Sequence, residues 1–508
     1  MNRTKNSIRN VFFTIIGSMV ITILQLVNRK VFVAFLAEEY LGLNGLFSNI
    51  LSVLSVSEMG IGTAMIFSLY QPVANRDTEK IKSLMALYKK LYSVIGWFVL
   101  CAGAAITPFL HFFIKEMPDI PYIHLYFLMF VLDSGISYFY TYKRSIIICN
   151  QQDYISSIST MSASVATRIT QLLILVFTHN YFLFLLAQIA FTRLENVIIS
   201  KIADKKYPYL KEKNIQPLEK EDTDKIKKNI FAMMAQKIGS VIVSGTDNLI
   251  ISKILGLKIL GFYSNYVLLL NTLNGLIVKV FNSITASIGN LVVKGTKEET
   301  EKVFQNILFA NYWIYSFAAT CFCALFQPFI KLWVGEKFLL SNVAVWIFVA
   351  CFYINGMRQT VLAFRNATGI FWHDRYRAIL EAVVNLLLSI PLTIIWGVAG
   401  VKLGSLLALL FTTFWLEGYV LYHKFFEKKS MKYQLIQLKY SILTIVQCSL
   451  MTYICSLIDD GTVLSFVVEC ILCVILTNGM ILILFGRSNE CKYFINIAVR
   501  LIKRKGEK

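Results

Sequence analysis

Fourteen ionisable residues fall inside stretches that are otherwise apolar. Seven are basic (Arg29, Lys30, Arg168, Arg193, Lys237, Lys279 and Arg358) and seven are acidic (Glu58, Asp133, Glu195, Asp247, Glu381, Glu417 and Glu469). A charge at the centre of a membrane helix costs about 2.5–3.5 kcal/mol on insertion scales, so such residues should face a water-filled cavity or each other. Arg29, Lys30, Arg168, Lys279 and Arg358 lie nearer mid-depth in their stretches and are the candidates for a cationic cavity. Arginine suits a diphosphate because its planar fork donates two hydrogen bonds, whereas lysine contributes a compact charge. Asp133 and Asp247 are the candidates for coupling a proton or sodium ion. The bland alternative is internal ion pairing. Arg193 and Glu195 are two residues apart and do not share a helix face, so neither satisfies the other. Glu195, Glu381 and Glu417 lie near the ends of their stretches, where pairing with basic loop residues or anchoring at the interface is expected. Glu469 is not expected to touch a ligand.

Other chemistries are poorly supported. The ten cysteines are scattered through apolar stretches; Cys321-Phe-Cys323 and Cys470-Ile-Leu-Cys473 have no histidine partner and read as small core residues. The five histidines are dispersed, so no metal is expected, and no cofactor beyond a coupling proton or sodium ion. Gly60-Ile-Gly62 lacks the third glycine of a dinucleotide fingerprint and suits close helix packing instead.

These residues need a membrane scaffold to position them. The chain has 508 residues, 56% of them hydrophobic and only 16% charged, with mean hydropathy +0.61. A soluble domain is typically about 25% charged. Apolar blocks long enough to cross a bilayer read as about fourteen spans: 10–36, 44–70, 84–110, 121–143, 154–178, 180–202, 229–255, 259–290, 304–330, 341–364, 376–397, 401–423, 435–458 and 462–486. Long unalternating blocks in lipid specify helices rather than a barrel. The fold expected is therefore an all-α polytopic membrane protein. Net charge is +20, and of the 50 Lys and Arg residues 36 fall on the termini and even-to-odd loops against 6 on the short odd-to-even connections. That asymmetry places both termini in the cytoplasm. The positive charge thus sets topology and touches anionic lipid heads, and nucleic acid is not an expected partner. The first apolar block carries charge and lacks a small-residue cleavage site, so it is expected to remain as a span. Pro108, Pro328 and Pro391 are expected to end or kink helices, and Trp333 and Tyr422 to sit in interfacial belts.

The spans repeat. Gly45-Leu46-Phe47-Ser48-Asn49 recurs as Gly261-Phe262-Tyr263-Ser264-Asn265, a shift of 216. Asp77-Thr-Glu-Lys-Ile81 recurs as Glu299-Thr-Glu-Lys-Val303, and Pro108-Phe-Leu110 as Pro328-Phe-Ile330. Arg144 and Asp153 return as Arg365 and Asp374, both shifted by 221, and Leu194-Glu195 returns as Leu416-Glu417. The offset covers six spans, an even number, so the halves enter the membrane in the same direction as parallel repeats. This divides the chain into an N-terminal lobe (1–203), a polar linker (204–228), a C-terminal lobe (229–423), two appended spans (424–486) and a basic tail (487–508). The shared Gly-aromatic-Ser-Asn segments read as scaffold turns.

Asn28-Arg29, Glu39-Tyr-Leu-Gly-Leu-Asn-Gly-Leu-Phe-Ser-Asn49, Glu58-Met-Gly-Ile-Gly62 and Ser68-Leu-Tyr70, with Thr246-Asp-Asn248 and Tyr263-Ser-Asn-Tyr266 in the second half, carry a family resemblance. The chain resembles the polysaccharide-transporter branch of the multidrug/oligosaccharidyl-lipid/polysaccharide (MOP) flippase superfamily over its whole length, including the six, six and two span plan. The resemblance implies a MATE-like fold of two lobes around a central cleft. It implies a bacterial cytoplasmic-membrane flippase, not an enzyme, moving undecaprenyl-diphosphate-linked oligosaccharide repeat units outward for capsule, exopolysaccharide or O-antigen synthesis. Partners would be the lipid-linked oligosaccharide, the bilayer, and the polymerase and glycosyltransferases of the same pathway. Arg29 matches a cationic position of the first span and Asp247 an acidic one opening the second lobe. Rival readings are a multidrug cation antiporter, favoured by Asp133 and Asp247, a lipid II flippase, and a membrane glycosyltransferase or polymerase, which the short external connections disfavour.

Overall fold

The computed structural model describes residues 2–58, 61–150, 152–212, 215–218, 220, 223–224, 226–227, 230, 245–368, 370 and 377–496. The described residues contain helices and no strand. Among the described residues ten helices are long and apolar enough to cross a membrane, and all ten fall on expected spans. The chain is a multi-pass, all-α membrane protein.

Two compact units divide at Gly261/Phe262. The first unit contains α1 (Asn2–Phe35), α2 (Glu38–Leu54), α3 (Ile61–Asn75), α4 (Thr78–Ile106), α5 (Ile123–Thr141), α6 (Arg144–Cys149), α7 (Asp153–Thr178) and α8 (Tyr181–Lys206). The main packing pairs are α1 with α7, α7 with α8, and α4 and α8 with α5. Aromatic edges hold this core, among them Phe47 against Phe127 at 5.1 Å and Phe32 against Phe184 at 5.4 Å. Residues 245–254 are also helical.

Three expected short connections meet at one end of this unit. Ala37, Glu39 and Tyr40 line one cavity of about 510 Å³ with residues 115–120 and 255–258, and Ser252 Oγ donates to the Phe113 carbonyl at 2.6 Å. At the opposite end the polar linker docks on α4. Lys82, 6% exposed, reaches Glu212 at 2.8 Å, and Ser83 Oγ donates to the Gln216 carbonyl at 2.5 Å.

The second unit contains α9 (Leu257–Lys294, its first turn in the first unit), α10 (Lys297–Trp333), α11 (Asn342–Met357), α12 (Gln359–Thr368), α13 (Arg377–Trp396), α14 (Val398–Ala408), α15 (Phe414–Leu421), α16 (Met431–Ser456) and α17 (Val463–Phe485). Two π-helical turns, Leu409–Thr413 and Tyr422–Phe426, flank α15. The appended pair α16 and α17 docks on α10 through polar contacts that lipid cannot compete with. Ser316 Oγ donates to Gln447 Oε1 at 2.6 Å, Trp313 Nε1 donates to Asn478 Oδ1 at 2.8 Å, and Tyr312 stacks on Tyr440 at 4.0 Å.

Several expectations change. The second span, expected at 44–70, is broken: α2 starts at Glu38, and the turn Ser55–Glu58 separates it from α3. Glu58 sits at the break, where Tyr92 donates its hydroxyl at 2.8 Å and Tyr138 also bonds the carboxylate. An apolar run alone cannot report a break of this kind, because the acid at the break bonds a tyrosine distant in sequence. The Gly-aromatic-Ser-Asn segments are not turns; they lie inside α2 and α9. Glycines there and beside them let backbones approach. A Cβ on Gly42 would stand 2.1 Å from the Leu257 carbonyl oxygen, and one on Gly261 would stand 2.7 Å from that of Glu38. Trp333 and Tyr422 are buried rather than interfacial, Tyr422 being packed against Phe304, Phe426 and Tyr433. Pro108 follows the end of α4 as expected, while α10 and α13 continue through Pro328 and Pro391.

Candidate functional site

In the second unit, α11 stops at Met357 and α12 begins at Gln359, leaving Arg358 at the joint. A helix end leaves backbone carbonyls without intrahelical partners. Here Asn311, fully buried in α10, donates to both the Gly356 and Met357 carbonyls at 3.1 Å. A Cβ at Gly356 would stand 2.0 Å from the Tyr315 ring, so only glycine admits Tyr315 at this joint.

Arg358 so placed lines a cavity of about 260 Å³ with Asn271 and Asn274 of α9, Phe348, Phe352 and Asn355 of α11, Gln359 of α12 and Lys402 of α14. The Asn274 side-chain oxygen accepts from the Tyr315 hydroxyl at 2.8 Å, which fixes the amide. Lys402 Nζ stands 5.4 Å from the Tyr263 ring centre and 5.6 Å from that of Phe348, a cation–π arrangement. Among the described residues, none that line the cavity is acidic. Carboxamides offer paired donors and acceptors, aromatic faces offer flat apolar surface, and the two cations favour anions. Such a lining accepts a polar, hydroxyl-rich or anionic group and disfavours an organic cation.

Behind the cavity, Glu417 of α15 is 3% exposed and three arginines converge on it. Arg358 grips it with two bonds, Nε to Oε2 at 2.9 Å and Nη2 to Oε1 at 3.0 Å. Arg377 reaches Oε1 at 3.2 Å and Arg365 at 3.8 Å. Arg377 also binds Glu381 at 3.0 Å, and Thr413, in the first π turn, donates to the same Glu381 oxygen at 2.5 Å. A π turn widens a helix by one residue and re-aims the side chains beyond it. The expected pairing of Glu417 with a basic loop residue is met by Arg365, and its repeat mate Glu195 pairs with Arg144 at 2.5 Å. The duplicated Arg and Glu of the sequence are therefore two equivalent ion pairs, one per unit.

In the first unit, Arg29 and Arg168 are brought together across the α1–α7 contact, close enough for their like charges to interact. Neighbouring Asn28 donates to the Arg168 carbonyl at 2.9 Å. Arg168 donates to Gln171 at 3.2 Å, and Gln171 donates on to the Phe184 carbonyl of α8. Lys30 lies about 100° further round the helix and is exposed. Asp133 accepts from Gln188 at 3.0 Å through Oδ2. Its buried Oδ1 has no hydrogen-bond partner among the described residues. Arg193 approaches from α8, donating to the Leu132 carbonyl at 2.6 Å, so Arg193 and Glu195 find separate partners as their spacing requires. Asp247 is buried. Lys279 is exposed on α9 and is not among the residues lining the cavity. Lys237 lies outside the described residues. Asn271, Asn274, Asn355, Gln359 and Lys402 were not expected in the site. Two spacings do signal them, Asn271 with Asn274, and Asn355 with Arg358 and Gln359, at the three- and four-residue steps of one helix face.

Comparison with solved structures defines the class. The fold is similar to an inward closed lipid II flippase MurJ (TM-score 0.64, 12% identity, covering 94% of this chain and 99% of that one). It is similar to an inward-facing multidrug resistance MATE transporter of the MOP superfamily (TM-score 0.60, 13% identity, 78% and 93% covered) and to a Vibrio cholerae MATE transporter (TM-score 0.58, 15% identity, 81% and 95% covered). The protein thus has the fold of the MOP-superfamily transporters. Residues 7–287 match the family model described as polysaccharide biosynthesis protein, and the chain belongs to that family. No curated protein matches the sequence significantly.

Proposed function

We propose that this protein is a flippase for undecaprenyl-diphosphate-linked oligosaccharide repeat units, working by alternating access in the bacterial cytoplasmic membrane with both termini in the cytoplasm. It performs no catalysis. The observation that supports the reading is the cavity lined, among the described residues, by carboxamides, aromatics and two cations with no acid. Carboxamides and aromatic faces suit sugar rings, and Arg358 and Lys402 suit a diphosphate or an acidic sugar. The volume is below the usual range of about 300–1,000 Å³ for small-molecule sites, so it holds part of a head group while the remainder and the polyprenyl chain lie elsewhere. Membership of the polysaccharide biosynthesis family supports the same substrate class. Arg29 and Arg168 are proposed as further contacts of the anionic head group. Moving negative charge outward is favoured by an inside-negative potential, by about 2.3 kcal/mol per charge per 100 mV. Asp133, with one buried oxygen unsatisfied, is the stronger of the two candidates for a coupling ion.

The test is genetic. Expression in a host lacking its repeat-unit flippase should restore surface polysaccharide, with Arg29→Ala and Arg358→Gln impaired. The host's sensitivity to cationic drugs should not change. Unrestored polysaccharide together with a gain of drug resistance would move the protein to the antiporter class, and rescue of a conditional lipid II flippase mutant would move it to peptidoglycan synthesis.

A further inference from the structure

Glu469 of α17 is fully buried, and neither of its carboxyl oxygens has a hydrogen-bond partner among the described residues. Ionised, a carboxyl so placed has nothing to offset its lost hydration; neutral, it needs only a hydrogen-bond partner. It belongs to a ridge of Ser465, Glu469, Cys473, Thr477, Ile481 and Phe485, the buried positions of α17 at four-residue steps. The helix packs chiefly on α10, and Cys473, one turn beyond Glu469, clusters with Ala324 of α10 and with Met451 and Cys455 of α16. The charges near Glu469 do not compensate it. Asp459 and Asp460, in the connection between α16 and α17, interact with it as like charges. Its other titratable neighbours are the thiols of Cys455 and Cys470, with Cys321 of α10 against Cys473. Lys331 of α10 reaches the connection at Gly461 and pairs with Glu336 at 3.7 Å.

A polar route leads toward Glu469 from the surface. Asp460 is exposed; it accepts from the Thr462 hydroxyl at 2.7 Å and from Ser465. The Thr462 and Ser465 hydroxyls are 3.4 Å apart. Ser465 is buried and stands one turn before Glu469 on the same ridge. A hydroxyl both donates and accepts, so this sequence of groups can pass a proton inward. The facing helix supplies an acceptor. Pro328 lies inside α10 and has no N–H for the carbonyl of Ala324, the residue that clusters with Cys473. A protonated Glu469 brings an O–H donor to this interface, whereas an ionised one brings only charge.

We propose that Glu469 is a proton-binding site, loaded from the α16–α17 connection through Asp460, Thr462 and Ser465. The carboxylate takes one proton from water at Asp460 and becomes the neutral acid; no other bond is made or broken. The neutral form lets α17 stay seated on α10. The ionised form opposes that seating, because a charge without a partner is strongly unfavourable inside a helix interface. Glu469 is not among the residues that line the cavity, and the site holds a proton whatever the cargo. The appended helices thereby gain a chemical role of their own.

The test uses the full-length protein in lipid nanodiscs and infrared spectroscopy at neutral pH, where a protonated carboxyl gives a C=O band separate from those of carboxylates and amides. The wild type should show such a band that is lost in Glu469→Gln. Identical carboxyl bands in the two proteins would mean that Glu469 is ionised, held by water or by another group, and would overturn the site. Should Glu469→Gln fail to fold, Glu469→Asp decides, since it keeps the carboxyl but moves it along the ridge. The band should then shift, and an unmoved band overturns the assignment. The route is read from the same band. On transfer to D2O it moves to lower frequency as the proton exchanges, and Ser465→Ala should keep the band but slow that movement. Exchange in Ser465→Ala as fast as in the wild type overturns loading through Asp460, Thr462 and Ser465.

Discussion

Replacing Glu417 by alanine should be among the most destabilising single changes in the second unit. The carboxylate is 3% exposed. Arg358 contacts it at 2.9 and 3.0 Å, Arg377 at 3.2 Å and Arg365 at 3.8 Å. Removing it takes away the carboxylate that all three guanidinium groups share. Breaking a buried pair by deleting one partner costs about 3–5 kcal/mol. The arginine side chains are 10–18% exposed, so they gain some hydration and the loss stays inside that range. Two comparisons calibrate it. Glu195 is 14% and its partner Arg144 27% exposed, so Glu195→Ala should cost about 1.5–3 kcal/mol, as expected for a hydrogen bond to a charged group. Glu301 pairs with Lys428, which is 51% exposed, and Glu301→Ala should cost about 0–1 kcal/mol. Equilibrium unfolding by SDS in mixed micelles, followed by tryptophan fluorescence, gives the ranking Glu417 above Glu195 above Glu301. Equal losses at Glu417 and Glu301 would refute the argument that burial and multiple pairing make this cluster.

Gly42→Ala places a methyl 2.1 Å from the Leu257 carbonyl oxygen and should cost about 1–3 kcal/mol by overpacking, whereas Gly45→Ala, with its nearest neighbour at 3.8 Å, should be neutral or stabilising by up to about 1 kcal/mol; thermal unfolding in detergent distinguishes the two. Lys82→Met removes the ion pairs to Glu79 and Glu212 and should release the linker from α4, seen as faster tryptic cleavage between 205 and 213 with the melting point little changed. Asp460, in the loop before α17, has its carboxyl held down at about 2 by a hydrogen bond from Ser465 first, and then by those from the Thr462 hydroxyl and backbone amide. A depressed folded-state value stabilises above the ordinary carboxyl range, so the melting-point gap between wild type and Asp460→Asn should be full above about pH 4 and close as pH falls toward 2.

The spans were legible because lipid imposes a length and an apolar composition on any helix that crosses it, and Ile123–Thr141 or Val463–Phe485 satisfy both without help from the rest of the chain. The break at Ser55–Glu58 was not, since it depends on Tyr92 and Tyr138, which no local pattern links to Glu58. Glu195 and Glu417 were expected either to pair with basic loop residues or to anchor at the interface, and the repeat even contained their partners Arg144 and Arg365, but as a match between halves rather than within them. Arg358 was named for its cationic chemistry. That it grips Glu417 was beyond reach because the contact joins residues 59 apart. Lys402 was not expected in the site; only packing of α14 against α11 turns it toward Tyr263 and Phe348. Trp333 and Tyr422 were misplaced because an aromatic at a helix end looks the same in sequence whether lipid or another helix covers it.

The most direct measurement of the central claim is translocation in proteoliposomes containing the purified protein and a fluorescent undecaprenyl-diphosphate oligosaccharide. An enzyme or quencher confined to the outside reads how much substrate crosses from the inner leaflet. The account predicts crossing well above protein-free vesicles, slowed by Arg358→Gln and Arg29→Ala and accelerated by an inside-negative potential. Substrate that stays in its leaflet at the protein-free rate, from a protein shown to be folded and able to move a cationic drug, would contradict it.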